Sequence, residues 1–295
     1  MANAITNNTQ QFTAPYLTVA EYKSAPTSID YDNLVVGGNS VAQDAELSNV
    51  ILRASSWIDQ YTNQILGATA DTEQQRVRVS PDGTIRFHPK NNPIIALTSF
   101  SYGGNPNQLT TATDCSIAWI EDGEVIFPYA QLATSYSDQG ALQFGFPVTS
   151  KSETFLRYTY VNGYANTTVN SVSSGASSVT VASPTGIVPN QMLKIYDGAK
   201  SENVTVASNY TYGSNTVLLA STTLYSHQSG ISISALPAAV KEACILVTTS
   251  FLKVRGDNSL VMAVATSGSQ SIGSQNIPAE LKLASDLLKP FRRIR

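Results

Sequence analysis

The chain has 295 residues, 42% of them hydrophobic and only 13% charged, with 18 Lys plus Arg against 21 Asp plus Glu for a formal net charge of −3. That hydrophobic share argues against disorder throughout, and the length fits about two domains. The mild acidity argues against a dedicated nucleic-acid binder, whose affinity would come from Lys and Arg spread over one face; a surface of Ser, Thr, Asn, Gln and Tyr in place of charge suits assemblies and extracellular β modules.

Residues 1–15 are polar and aperiodic and predict an arm. Thr18 to Glu21 reads TVAE, a capping box opening a short helix that must end before Pro26. A second box, SVAQ at Ser40 to Gln43, predicts a longer helix whose apolar stripe is Leu47, Ile51, Ala54, Ile58, Tyr61 and Ile65, widened by Trp57 and stopped by Gly67. From residue 76 the period changes to two. RVRVS, TIRFHP, IIALTSFSY, then SIAWIE and EVIFP around Asp122-Gly123, and FLRYTYVNGY predict strands, with a type I′ hairpin at Asp122-Gly123. From 166 to 235 shorter alternating runs separated by Gly, Asn or Pro predict a small sandwich or barrel. Helical spacing returns after Pro237 with Val240, Cys244, Val247, Phe251 and Val254, ending at Gly256, and again from Pro278 with Ile277, Leu281, Ala284 and Leu288 inward, until Pro290 prevents continuation.

The early and late helices each carry one narrow apolar stripe, and covering each other is their simplest solution. The expected fold is therefore α+β: a helical core built from the two chain ends, with two mainly antiparallel β regions inserted between them. The segments are an arm 1–15, helical core 16–75, a β domain 76–165, the inserted β module 166–235, and the second half of the core with a basic tail, 236–295.

Catalytic and cofactor fingerprints are absent: GxSxG, HExxH, a Walker A loop and the dinucleotide glycine pattern do not occur, and no cofactor or metal is expected. Cys115 and Cys244 form no CxxC and are expected as small buried hydrophobes. His88 and His227 are expected in solvated or structural roles. Glu121, Asp122 and Glu124 could pair for glycoside hydrolysis, but they surround a hairpin turn where solvated charge is ordinary. The tyrosines Tyr158, Tyr160, Tyr164, Tyr210, Tyr212 and Tyr225 fit sheet faces, or alternatively a sugar- or protein-binding surface. The start of the chain lacks the basic and apolar stretches of a secretory signal, and no apolar run approaches the roughly 18 residues of a membrane span, so a soluble protein made in the cytoplasm is expected.

Two segments remain. Leu260, Val261, Met262 and Val264 lie in an apolar run inside a Ser/Gly-rich stretch, a candidate subunit interface. The last seven residues hold Lys289, Arg292, Arg293 and Arg295, interleaved with Phe291 and Ile294, and aromatic plus Arg is the composition of an interface anchor.

The ends of the chain, YLTVAEYKSAP from Tyr16, AELSNVILRASSWIDQYTNQ from Ala45, LPAAVKEACILVTTSFLKVRG from Leu236, a loop containing SIGSQ, and IPAELKLASDLLKPFRRIR from Ile277, resemble the head-to-tail connector (adaptor) proteins of tailed bacteriophages. The resemblance is one of order and texture, and departs from the small all-helical members in the β regions between residues 76 and 235. It implies a non-enzymatic virion protein: a ring, usually of twelve subunits, in the neck between head and tail, assembled from chains made in the host bacterium. It further implies that the ring docks under the portal protein through the C-terminal segment, receives tail or tail-completion proteins on its other face, and touches DNA only as it passes. The rival from the binding-module class is a surface adhesin that takes glycans on its Tyr-rich β regions.

Overall fold

In the computed structural model the described residues are 14–27, 29, 31, 34–80, 83–128, 153–256 and 279–293. They divide into two compact units, one spanning Ala68–Gly163 and the other the residues up to Gly67 together with those from Tyr164 onward. The structure has both helices and antiparallel sheets.

Helix α1 is Val19–Ser24. Its box forms as expected: Thr18 Oγ1 accepts from the Glu21 backbone N–H at 3.2 Å, and Glu21 Oε2 accepts from Thr18 N–H at 2.8 Å. Helix α2 is Ser40–Thr62, and here the expected box is displaced by one residue. Asn39 is the cap, accepting from Ala42 N–H at 3.0 Å, while Gln43 turns back to bond both N and O of Val35 at 2.8 Å. The far end also differs. The helix stops at Asn63, which adopts φ +57°, while its N–H and that of Gln64 close onto Gln60 and Asp59 carbonyls at 3.4 and 3.2 Å. Gly67 therefore does not end the helix, and Leu66 is fully buried in place of Ile65.

Helices α3, Ala238–Gly256, and α4, Ala279–Leu288, complete this set. Leu47, Ile51, Ala54 and Ile58 of α2, Val240, Cys244 and Val247 of α3, and Ala284 and Leu288 of α4 share one buried cluster with Tyr16 and Tyr22. Phe251, Leu281 and Tyr61 pack against it half-buried. Tyr16 ties the chain beyond α2 to the core: its hydroxyl bonds Asp59 and accepts from Leu66 N–H at 2.8 Å. Toward the middle of helix α3 the polar Thr248, Thr249 and Ser250 are buried too, with Thr249 bonded to Tyr22 at 3.0 Å. Burial pushes the Cys244 thiol up to about 12.

The first unit is built on strands β1 Thr69–Arg78, β2 Thr84–Phe87, β3 Ile94–Asn105, β4 Gln108–Thr111, β5 Trp119–Glu121, β6 Glu124–Pro128 and β7 Glu153–Asn162. They form one antiparallel sheet in the order β1-β7-β3-β4 and another in the order β2-β6-β5. The faces meet over Phe87, Phe100, Phe127, Tyr158 and Tyr160, with Phe100 and Phe127 rings 4.2 Å apart. Strand β1 starts at Thr69, seven residues before the period-two signal, because its first inward positions are polar. Glu73 accepts from the Tyr158 and Tyr160 hydroxyls at 2.9 and 2.6 Å, and Asp71 from the Asn91 and Asn162 amides at 2.8 and 2.7 Å. A half-buried acid with partners occupies an inner position as well as an apolar side chain does, but reads as loop in a sequence. The hairpin at Asp122 (φ +48°) and Gly123 (φ +78°) is the expected type I′ turn.

The chain from Tyr164 to Leu236 carries β8 Asn166–Thr168, β9 Ser178–Thr180, β10 Met192–Tyr196, β11 Glu202–Thr205, β12 Thr216–Leu218 and β13 Ser232–Ser234. The order is β11-β10-β13-β8 in one sheet and β12-β9 in a second. Single bridges Val169↔Val181 and Val206↔Leu219 link them. Its core, including Val179, Ile187, Leu193, Ile195, Val204, Val217 and Ile233, is separate from the helical cluster, although both lie in the same compact unit.

Candidate functional site

Beyond α4 the chain makes a 3₁₀ turn at Lys289–Phe291, with Pro290 inside it, and then runs against the end of α2. Arg293 N–H donates to Thr62 O at 2.9 Å, Asn63 Nδ2 to Arg293 O at 3.1 Å and Gln64 Nε2 to Phe291 O at 2.9 Å. This differs from the free leash that a proline stop suggests. The last turn of a helix presents carbonyls without partners, and the tail supplies one of the missing donors. Its cations also sit where the helix dipole is negative. Arg292 lies over the Tyr61 ring at 5.6 Å yet is exposed, Phe291 is half-buried, and Lys289 pairs with Asp286 at 2.8 Å. Arg293 Nη1 is enclosed without a hydrogen-bond partner. Of the six tail residues singled out in the sequence, the structure thus brings Lys289, Phe291, Arg292 and Arg293 to one place; Ile294 and Arg295 lie outside the described residues, as do Leu260, Val261, Met262 and Val264.

A second site was hidden in the sequence. His227 is 2% exposed, its Nδ1 2.9 Å from Asp197 Oδ2 and its Nε2 2.8 Å from Glu202 Oε1. Glu202 also accepts from the backbone N–H groups of Leu224 at 2.8 Å and Tyr225 at 3.2 Å. Burial raises the Glu202 carboxyl, but these bonds and the His227 ring outweigh it and leave the group below its ordinary value. His227 lies beside a cleft of about 510 Å³, with its ring fully enclosed behind the lining. The expected structural role of His227 fits this clamp. The expected loop position gave no hint of it, because the partners are 25 and 30 residues away and no spacing connects them.

A third cluster joins the helices to the β module. Lys241, 4% exposed, donates to Glu21 Oε1 at 2.7 Å and Ser232 Oγ at 3.2 Å, and sits 4.3 Å from the Tyr196 ring centre. Burial pulls its pKa down against the opposing pull of Glu21. Glu21 therefore serves twice, closing the α1 box with one oxygen and neutralising Lys241 with the other.

The remaining candidates separate. Glu124 lies 3.6 Å from Arg86 and 3.9 Å from His88, and Glu121 and Asp122 are exposed at the turn. Tyr158, Tyr160 and Tyr210 are buried, Tyr164 is half-buried, and Tyr212 and Tyr225 are 39% and 43% exposed. Among the described residues no three His, Cys, Asp or Glu converge to hold a metal, and no helix is long and apolar enough to cross a membrane. No family model, no curated protein and no solved structure matches the chain.

Proposed function

We propose that this protein is a non-enzymatic structural component of a phage virion, a head-to-tail connector. In this reading copies of the chain form a ring, of twelve subunits on the family pattern, that docks under the portal, continues the DNA channel and receives tail proteins. The β regions are insertions in a helical host made from the chain ends. The observation that carries the proposal is that the segments bearing the resemblance, 16–66 and 236–293, supply one helical cluster with the basic tail fixed at its edge. Tail residues held in place lose less freedom on docking than a loose end would, and guanidiniums form two-pronged bonds with partner carboxylates. Repetition around a ring raises the effective concentration of every later contact once one subunit has docked.

The test is association with a portal ring from the same phage, followed by sedimentation. Gln at Arg292, Arg293 and Arg295 leaves the backbone bonds to Thr62, Asn63 and Gln64 in place. That variant is expected to fold, to bind the portal at least tenfold more weakly and to lose most of the salt dependence. Undiminished binding would exclude the tail as the docking element, and absence of any portal binding by the native chain would exclude the connector reading.

A further inference from the structure

We propose that the cleft beside His227 in the β module is a binding site for a neutral saccharide. The cleft, about 510 Å³, is lined by Asp197, Lys200, Ser226, His227, Gln228 and Ile231. That volume suits a small ligand.

Its most telling feature is how firmly one side is held. Thr223, 2% exposed, donates to Ser173 O at 2.8 Å and accepts from Ala176 N–H at 3.1 Å. Ser174 Oγ donates to Leu224 O at 2.8 Å, Glu202 takes the N–H groups of Leu224 and Tyr225, and His227 N–H donates to Val172 O at 2.8 Å. Every residue from Thr223 to Tyr225, and His227 after them, is therefore tied down by hydrogen bonds, those of Leu224 and Tyr225 to the buried Glu202. This same segment exposes Leu224 by 70% and Tyr225 by 43%, next to Ser226 in the chain. A loop over-determined by its own hydrogen bonds that leads directly into Ser226, His227 and Gln228 holds that part of the cleft lining preorganised.

The lining selects the ligand class. One cation, Lys200, and one carboxylate, Asp197, whose side chain is 25% exposed, leave the cleft without a net charge to attract an ion. A phosphate would face the Asp197 carboxylate. A metal would need converging ligands, yet Asp197 and Glu202 grip opposite sides of the imidazole. An apolar ligand would strip water from Lys200, Ser226 and Gln228 without replacing its hydrogen bonds. A polyhydroxylated, uncharged ring satisfies mixed donors and acceptors at once, and Ile231 in the same lining leaves room for the less polar C–H face of such a ring.

The full chain is mixed with lactose, maltose, cellobiose and diacetylchitobiose in turn, and contact is read by saturation-transfer NMR with titration of any that respond. The expected result is saturable binding of at least one, weakened tenfold or more by Gln228→Ala or Lys200→Ala, both exposed positions whose variants should melt as the native protein does. No transfer to any of the four, or binding unchanged in both variants, would overturn the proposal. Binding of a heparin oligosaccharide alone, abolished by salt, would also overturn it and assign Lys200 to a polyanion patch. None of these outcomes depends on portal association, so the site stands or falls apart from the connector reading.

Discussion

Two carboxylates, Glu21 and Glu202, show how a single side chain can organise a neighbourhood. Glu21 is 8% exposed and its partner Lys241 4%. Removing one member of a buried pair strands the other charge, so Glu21→Ala should destabilise the helices by about 3–5 kcal/mol. Replacing both, as Glu21→Gln with Lys241→Met, should recover most of that loss, because the amide still accepts from Thr18 N–H and no charge stays buried. Urea unfolding followed by helical circular dichroism distinguishes the two. Glu202 instead gives a pH dependence. Its folded value lies below its unfolded value of about 4.3, so its contribution is fully present above that pH and is lost as pH falls through the lower folded value. The β module should loosen in acid below about pH 4, seen in the near-UV signal of its tyrosines, and Glu202→Gln, which keeps the shape beside His227, should flatten that part of the profile.

At the scale of elements, the end of α2 and the tail form one joint. Asn63 holds φ +57°, where a side chain other than Asn or Asp is strained. Asn63→Ala should cost about 1–2 kcal/mol and Asn63→Gly less, since both lose the bond to Arg293 O but only alanine adds strain. Ending the chain at Leu288 removes three hydrogen bonds and the half-buried Phe291, for roughly 2–4 kcal/mol, measured by urea unfolding. What could be read from residues alone was uneven at this scale. The TVAE box and the Asp122-Gly123 turn were legible because their chemistry is local. The cap at Asn39 was masked by an equally good Ser40 one residue on. Strand β1 was missed where Asp71 and Glu73 take inner positions, since only their distant partners Tyr158, Tyr160 and Asn162 make those positions tolerable.

Across the whole molecule, the helical stripes announced their mutual burial through spacing alone, and the α+β class followed from the change of period. The clamp around His227 could not be read, because it is assembled from two separate stretches of the β module, 197–202 and 224–227. The module is also less independent than its separate core suggests, since Ser232 and Tyr196 help enclose the Lys241 ammonium. Replacing residues 166–235 by a Gly/Ser linker should therefore unsettle the helices, and adding Glu21→Gln with Lys241→Met should restore their cooperative melt. Equal melting of the deletion with and without the double replacement at Glu21 and Lys241 would show that these contacts contribute nothing to the helical core.

The helical cluster also dictates an order of events during synthesis. Leu47, Ile51 and Ile58 leave the ribosome early, whereas Val240, Val247, Ala284 and Leu288 are made after more than half of the chain has followed. At ~5–20 residues per second helix α2 waits on the order of ten to fifty seconds for its cover. The β regions can close in that interval, because their cores are made of residues already translated. A message broken before the last helices would release a chain with finished sheets and a bare apolar stripe, the form that chaperones and proteases recognise, so incomplete copies would be cleared.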